Sequence, residues 1–299
     1  RNGWIGNQFI TLLKNKKIKF HKGQARVYYK RDIVQELNQI KPTHVISFIG
    51  RTHGTRNGVT YNTIDYLEEK GTLKENLNDN LYGPLLLSDL CLKKKIHFTY
   101  LGTGCIFNYD IDHLQGEESD GFTEEDEPNF FGSNYSIVKG FTDKLMKFYE
   151  ETTLNLRIRM PISDQPHPRN FITKITNYEK ICSVTNSMTV LPELLPIVID
   201  MMIQKKTGTL NLTNPGTISH NEILDLYKLY VDPTFTYQNF SIEEQSKFIL
   251  SERSNNCLNT FLLEVFCPGV KPIREAVIDC FKTYAQAEHD SQTSGETVN

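Results

Sequence analysis

Hydrophobic positions along the first half of the chain follow two alternating periods. Short apolar runs predict strands at residues 17–20, 44–49, 97–101 and 154–160, and helical spacing predicts helices at 8–13, 32–40, 76–92 and 135–149. Gly83-Pro84 interrupts the third of these helices, where proline must kink or restart it. Strands that alternate with helices form a parallel sheet that binds ligands at the carboxyl ends of its strands. The pattern predicts an α/β fold with a doubly wound parallel, Rossmann-type sheet.

The alternation stops at about residue 161. Pro161, Pro166 and Pro168 punctuate the next loop, and shorter elements follow: helices at 191–202 and from residues 220 and 241, and a strand at 210–212. We expect a dinucleotide-binding domain over residues 1–160 and a smaller, substrate-binding lobe over residues 161–285. Residues 286–299 are polar and aperiodic, which predicts a disordered tail.

Composition narrows the class of protein. The 299 residues are 38% hydrophobic and 23% charged, as in ordinary globular proteins, and the net charge of -3 favours neither nucleic acid nor an anionic membrane as a partner. No apolar run approaches the ~18 residues that a membrane-spanning helix needs. The six cysteines are scattered without a Cys-x-x-Cys pair, which predicts reduced thiols in a cytoplasmic protein and no metal site.

The chain opens with a glycine pattern. Gly3-Trp4-Ile5-Gly6 matches the end of a Gly-x-x-Gly-x-x-Gly turn, and we expect the first glycine and the preceding strand to lie before residue 1. Glycines at these places let the backbone approach a pyrophosphate at a helix N-terminus. The stretch is therefore a candidate cofactor turn, although half a motif also fits an ordinary turn or the remnant of a tag.

The strongest chemical signal joins the end of one predicted strand to the start of one predicted helix. Tyr135 and Lys139 are four residues apart and share a helix face, where an ammonium can lower the pKa of a phenol and make it a proton donor or acceptor. Thr103 can orient the same substrate oxygen, and Cys105 adds a second acid/base group. Together they indicate a reductase that also moves protons on carbon.

The same tyrosine–lysine spacing occurs a second time, at Tyr66 and Lys70. No hydroxyl motif is placed upstream of this pair, and its neighbours are charged. We interpret it as a solvated helix face.

Cofactor preference is readable from the end of the second predicted strand. An NAD enzyme usually places an acid there for the ribose hydroxyls. Residues 21–26 contain no acid, and Arg26 suits a 2′-phosphate, which favours NADPH unless Lys22 and Arg26 are merely solvated. Arg51 and His53 leave the third strand at its ligand-facing end, where they could contact the cofactor phosphate or the substrate, or pack the loop.

Stretches along nearly the whole chain resemble one enzyme family. They lie at residues 3–6, 102–107, 128–130, 135–139, 157–161, 168–174, 186–189, 213–216, 220–222 and 253–256. The chain resembles the extended short-chain dehydrogenase/reductases, and within them the nucleotide-rhamnose synthase family of 4-keto-6-deoxy-sugar 3,5-epimerase/4-reductases. The resemblance implies conversion of UDP-4-keto-6-deoxy-glucose to UDP-L-rhamnose with NADPH.

The resemblance also implies roles for individual residues. Thr103, Tyr135 and Lys139 match the reductase triad, with Lys139 on the nicotinamide ribose. Cys105 and Lys174 match the acid/base pair of the epimerase, with the division of work between C3 and C5 left open.

Further implications concern substrate and partners. Asn170 and Arg253 are candidates for the nucleotide diphosphate of the substrate. The base is open between UDP and dTDP. We expect the 4,6-dehydratase that supplies the substrate to be a separate protein, and a homodimer through two long helices is common in the fold.

Three other functions compete with the bifunctional enzyme. A 4,6-dehydratase carries an Asp-Glu pair after the catalytic threonine, where Gly104-Cys105 stands here. A mono-functional 4-keto-sugar reductase would need neither Cys105 nor Lys174. A non-catalytic NADP-binding regulatory subunit is disfavoured by the intact triad.

Overall fold

The computed structural model describes residues 3–116 and 121–295 and confirms the predicted parallel sheet. Four parallel strands lie in the order β1 (His44–Ser47), β4 (His97–Thr103), β5 (Thr153–Ile158) and β6 (Gly208–Asn211). A short antiparallel hairpin of β2 (Gly54–Arg56) and β3 (Val59–Tyr61) lies outside this sheet. Every residue of β4 is buried, as expected for a central strand of a parallel sheet.

Helices cover both faces of the sheet. The helices that flank it are α1 (Trp4–Asn15), α2 (Lys30–Ile40), α4 (Gly83–Lys94), α5 (Asn134–Met146) and α7 (Leu191–Ile203). Phe98 and Tyr100 of β4 pack with α2 and α4, whereas Leu101 packs on the other side with α1 and α7. This alternation is the period of two that a pleated strand imposes. No helix in the described part of the chain is long and apolar enough to cross a membrane.

The connection from the hairpin to β4 differs from the sequence prediction. A 3₁₀ turn (Ile64–Glu68) leads to α3 (Leu73–Leu77), and a π-helical turn (Asn78–Tyr82) joins α3 to α4. Pro84 lies in the first turn of α4, where its missing N–H leaves no bond unmade. Tyr66 is not a solvated residue: it is 3% exposed, packs against Tyr135, and donates to Glu75 at 3.0 Å.

The second half of the chain contributes to two cores. The helices α6 (Phe171–Thr176), α8 (His220–Tyr230) and α11 (Ile273–Gly295) build a separate apolar cluster, and α9 (Ile242–Gln245) and α10 (Phe261–Phe266) are short. In contrast, β6 pairs with β5, and α7 packs on the main sheet. Residues after 161 therefore contribute both to the core of the sheet and to the separate apolar cluster.

Two local predictions differ from the structure. Residues 17–20 are not a strand, because no described strand lies beside them to exchange backbone hydrogen bonds. Helix α11 runs to Gly295, into the segment expected to be disordered, since no proline or earlier glycine interrupts it. Residues 296–299 of the predicted tail lie outside the described residues.

A buried ion pair fastens α5 to the sheet. Arg157 of β5 has no exposed surface, and its Nη2 lies 2.7 Å from Oδ2 of Asp143 on α5. The guanidinium also donates to the carbonyl of Thr123 at 3.0 Å, and Asp143 accepts from Asn155 at 2.8 Å. Buried charges are stable only when paired and hydrogen-bonded in this way.

We therefore predict that Asp143→Ala lowers the free energy of unfolding by about 3–5 kcal/mol, because it leaves the Arg157 guanidinium buried without its counter-charge. Lys144→Ala is the matched control on the same helix; it removes only an exposed pair with Glu127 and should cost less than about 1 kcal/mol. Urea unfolding followed by circular dichroism measures both. Equal losses would mean that the buried pair does not anchor α5.

Candidate active site

The carboxyl end of β4 and the amino end of α5 bring together three of the predicted site residues. Thr103 is the last residue of β4, and its side chain hydrogen bonds to Tyr135 in the first turn of α5. Cys105 follows the strand and donates its backbone N–H to the Thr103 hydroxyl at 3.1 Å. Ser136 donates to the carbonyl of Cys105 at 2.8 Å, which docks the helix onto the strand end.

Local sequence explains why α5 begins there. Ser133 is extended and accepts a hydrogen bond from the backbone N–H of Ser136 at 3.0 Å, so it is the helix N-cap. Tyr135 and Lys139 consequently lie one turn apart on the buried face, at 8% and 4% exposure. The sequence prediction of one helix with both residues on one face is confirmed.

The electrostatics of this pair differ from the prediction. Burial raises the pKa of Tyr135, the nearby Cys105 raises it further, and the hydrogen bond with Thr103 only partly opposes this. The ammonium of Lys139 does not lower it, because Lys139 donates instead to the hydroxyl of Tyr100 and lies 4.6 Å from the centre of that ring. The Tyr135 phenol is therefore protonated, as a proton donor must be.

Lys139 itself is a buried cation. Burial lowers its pKa to about 8, against the opposing effect of Asp143 one turn further along α5 and of Cys105. Tyr100, on β4, is 1% exposed and offers the only hydroxyl that Lys139 contacts among the described residues. Nothing in the sequence spacing marked Tyr100, since the contact depends on how α5 crosses β4.

Lys174 lies on α6, in a different electrostatic environment from Cys105. Its pKa is lowered by burial and then by the charges of Arg169 and Arg253. Cys105 is partly exposed, beside Tyr135. Within the described residues, no contact joins the thiol to the Lys174 amine, so their pairing across a sugar ring stays a prediction.

A cluster of cations surrounds His53. Arg169 donates to His53, and Arg51 and Lys174 are also close enough to influence it electrostatically. Burial, together with these charges, lowers the pKa of His53 to about 4, so the imidazole is neutral at pH 7 and can accept the Arg169 hydrogen bond. Arg51 is balanced by Asp79, at 2.8 Å. The sequence analysis assigned no role to Arg169, because only the fold of the 163–169 loop brings it to His53.

The glycine turn has the features of an anion site. Gly3 is the N-cap of α1 without a side-chain cap, the first turn carries no acid, and a Cβ built on Gly3 would meet no atom within 4 Å. Free backbone N–H groups at such a helix end suit a pyrophosphate. The ring of Trp4 stacks on that of His167, with 5.2 Å between the ring centres. Both residues line a cleft of about 460 Å³ that extends to Arg169. These residues fit the expected dinucleotide.

The loop at residues 21–26 leaves Arg26 exposed, as its expected role with a 2′-phosphate requires. The fold nevertheless brings an acid to this loop: Glu36 of α2 accepts hydrogen bonds from the backbone N–H groups of Gln24 at 2.7 Å and Ala25 at 2.8 Å. Both carboxylate oxygens are engaged with this loop. Glu36 thus shapes the loop, and its helical position hid it from inspection of the strand end.

The two predicted substrate residues differ in their availability. Asn170 is fully buried and is the N-cap of α6, and its amide donates to Ser163, Gln165 and Tyr284. In this structure the Asn170 amide builds the loop before α6, and its expected contact with the substrate stays a prediction. Arg253 keeps 28% of its side chain exposed and lies near Lys174.

Residues 3–116 and 121–295 contain no group of three or more His, Cys, Asp or Glu side chains placed to hold a metal ion.

No protein-family model matches the chain. Individual proteins do. The L780 UDP-rhamnose synthase of Acanthamoeba polyphaga mimivirus is 51% identical over 271 residues, which are 91% of this chain and 92% of that protein. Its crystal structure superposes with a TM-score of 0.89 over 94% of this chain and 96% of that chain.

Two further relatives extend the comparison. A bifunctional dTDP-4-dehydrorhamnose 3,5-epimerase/dTDP-4-dehydrorhamnose reductase of Arabidopsis thaliana is 43% identical over 93% of this chain and 89% of its own length. The fold also matches a dTDP-4-dehydrorhamnose reductase of Bacillus anthracis str. Ames, solved in complex with NADP, with a TM-score of 0.74 at 18% identity over 94% of this chain and 95% of that chain.

The buried ammonium generates a stability prediction. We expect Lys139→Met to raise the free energy of unfolding at pH 7 by about 1–2 kcal/mol. The variant no longer buries a charge, and the desolvation cost that it avoids is larger than the stabilisation it loses with the hydrogen bond to Tyr100. The folded pKa of about 8 is below the unfolded value of 10.5, so between these pH values the unfolded wild type holds more protons and wild-type stability rises with pH.

Urea unfolding of both proteins at pH 7 and pH 9.5 measures this effect. The advantage of the methionine variant should shrink at the higher pH, where the folded wild type has released the proton. A variant that is less stable than wild type at pH 7 would contradict the prediction.

Proposed function

The chain belongs to the nucleotide-rhamnose synthase family of 3,5-epimerase/4-reductases, and on this basis we propose that it converts UDP-4-keto-6-deoxy-glucose to UDP-L-rhamnose with NADPH. One observation carries the proposal beyond family membership. The partly exposed thiol of Cys105 lies beside Tyr135 at the carboxyl end of the central strand, and the backbone N–H of Cys105 donates to the Thr103 hydroxyl. A reductase alone would need Thr103, Tyr135 and Lys139 but not this thiol.

The substrate ketone explains why one site can perform both reactions. A 4-keto sugar has acidic protons at C3 and C5, because either carbanion delocalises into the carbonyl as an enolate. Epimerisation needs one group to remove a proton and another to return it on the opposite face. Cys105, after β4, and Lys174, on α6, are the proposed pair, and burial lowers the pKa of the lysine, which makes its amine easier to deprotonate.

The oxygen at C4 is common to both reactions. Thr103 and Tyr135 hydrogen bond to each other in this structure, and with substrate bound both hydroxyls would turn to donate to the enolate oxygen and later to the C4 alkoxide. NADPH supplies the hydride to C4, and the raised pKa of Tyr135 keeps its phenol protonated until it gives that proton to the alkoxide. Lys139 would leave Tyr100 to bind the nicotinamide ribose.

The choice of NADPH rests on two groups of residues. The free helix end at Gly3 to Gly6 suits the pyrophosphate, and the exposed Arg26 suits a 2′-phosphate. The Bacillus relative that was solved with NADP shares the fold, which supports the same class of cofactor.

The proposal also defines the protein's surroundings. The 4-keto and 6-deoxy groups of the substrate arise by loss of water from a hexose, so a 4,6-dehydratase must act first. We place the reaction in the cytoplasm.

We also propose a homodimer through α5, since Ile137 and Phe141 are exposed on it, and Phe148, in the following turn, is 78% exposed.

Incubation with UDP-4-keto-6-deoxy-glucose in deuterated water tests the function. Deuterium should enter at C3 and C5 without NADPH, and UDP-rhamnose should form once NADPH is added. Reduction without exchange would leave a mono-functional reductase. Absence of both, with NADPH still bound, would leave an NADP-binding regulatory subunit.

Variants separate the two activities. We predict that Cys105→Ala and Lys174→Ala each slow deuterium exchange by at least about 100-fold, and that Tyr135→Phe slows reduction by about 1000-fold, because each removes a proton-transfer group. Mass spectrometry of the sugar nucleotide measures exchange, and NADPH absorbance measures reduction. Cys182→Ala, at another partly exposed cysteine, is the control. Normal exchange by the Cys105 variant would remove that thiol from the mechanism.

A second prediction concerns cofactor preference. Arg26→Ala should raise the KM for NADPH about tenfold and change that for NADH less than about twofold, since the guanidinium would contact only the 2′-phosphate. Arg31→Ala, at an exposed arginine on the adjoining helix, is the matched control. Equal changes for both cofactors would place Arg26 away from the 2′-phosphate.

A further inference from the structure

One carboxylate gathers donors from two distant parts of the chain. Asp65, in the 3₁₀ turn after the hairpin, accepts at Oδ1 from the backbone N–H groups of Leu250 at 2.9 Å and Ser251 at 3.0 Å, and from the Ser251 hydroxyl at 3.0 Å. At Oδ2 it accepts from Arg253 at 2.5 Å and from Thr63 at 2.5 Å. The segment around residues 250–253 is therefore fastened to the turn through a single side chain.

Asp65 remains charged throughout the physiological range. Burial alone would raise its pKa, but the hydrogen bonds from Arg253, Thr63 and Ser251, with the charge of Arg253, lower it to about 2. Hydrogen bonds to an ionised group are roughly twice as strong as neutral ones. The charge that holds Arg253 is therefore present at physiological pH.

The same turn holds the start of the catalytic helix. Glu68 accepts from the backbone N–H of Asn134 at 2.8 Å, and the carbonyl of Leu67 accepts from the Asn134 side chain at 3.1 Å. Tyr66 and Leu67 pack directly against Tyr135. The turn therefore contacts the 250–253 segment through Asp65 and packs with Tyr135 through Tyr66 and Leu67.

Arg253 has donors to spare. Its Nη2 donates to Asp65, and its Nη1 donates to both the carbonyl and the hydroxyl of Ser251, whereas a guanidinium carries five N–H groups in a rigid fork. Its charge acts on Lys174 and Tyr178, so the guanidinium lies close to the cationic part of the site. A planar fork that is fixed along one edge is well prepared to bind a diphosphate along the other.

We propose that Asp65 is a positioning residue, which holds Arg253 so that its remaining N–H groups face the diphosphate of the nucleotide sugar. The identity of the ligand rests on the proposed function. Asp65 touches neither substrate nor cofactor in this arrangement, so its effect passes through Arg253.

Asp65→Asn is the decisive variant. The amide oxygen can keep the backbone N–H groups of residues 250 and 251, but the amide N–H groups face Arg253 and turn it away. We expect the KM for UDP-4-keto-6-deoxy-glucose to rise about tenfold while kcat stays within about twofold. NADPH affinity, read from the fluorescence of Trp4, the single tryptophan, should not change. Glu69→Gln is the control, since the carboxylate of Glu69 accepts a hydrogen bond from Tyr61 at 2.6 Å and holds neither Arg253 nor Ser251.

A double-mutant cycle separates positioning from general structural support. Arg253→Gln should raise the same KM, and adding Asp65→Asn to it should cause little further loss, because both changes remove one interaction. Additive losses would overturn the proposal. A fall in kcat and NADPH affinity together with the melting temperature would also overturn it, since that is the result of a damaged fold.

Binding of UDP and UMP, measured by calorimetry, tests the proposal without turnover. The Asp65→Asn variant should lose about tenfold in affinity for UDP and much less for UMP. If Asp65→Asn weakens UDP binding as expected but wild type forms no rhamnose, the proposed reaction fails and the role of Asp65 stands. If wild type turns over substrate and the variant binds UDP normally, the role of Asp65 is wrong.

Discussion

The chemistry of this protein depends on how one face of α5 is held against the sheet. Tyr135, Lys139 and Asp143 follow each other at intervals of four residues, and all three are buried. The third anchors the helix through Arg157, and the first two carry the candidate chemistry. A helix that is fixed at Asp143 can place a phenol two turns earlier at the strand end, because the helix between them is rigid. The anchor and the site are therefore one structural unit.

The same helix face buries the Lys139 ammonium at a cost in stability. A lysine in the protein interior loses its hydration, and Tyr100 and Asp143 compensate only in part, as the lowered pKa of Lys139 indicates. Sites that keep such a group sacrifice stability for function. Burial also explains why the phenol of Tyr135 stays protonated, because an ionised phenol would lose its hydration there.

The second part of the chain completes the site through buried polar links. Arg159, 1% exposed, donates to the carbonyl of Gly104 at 3.1 Å and to Ser254 at 2.9 Å, so it ties the turn between Thr103 and Cys105 to the segment that follows Arg253. Asp65 makes a second link to that segment. Charged side chains thus tie the turn that holds Thr103 and Cys105, and the 3₁₀ turn that holds Asp65, to the segment around Arg253.

The sequence alone determined the parallel α/β fold, the helix that carries Tyr135 and Lys139, and the strand that ends at Thr103. These features depend on periodicity and on neighbours within about four residues, which local geometry fixes. Tertiary structure decided which partner each side chain has: Lys139 meets Tyr100, Asn170 caps a helix, Tyr66 is buried, and Glu36 reaches the cofactor loop. Such contacts join residues far apart in the chain, and no local pattern specifies them, because they form only when the packing of helices and strands brings those residues together.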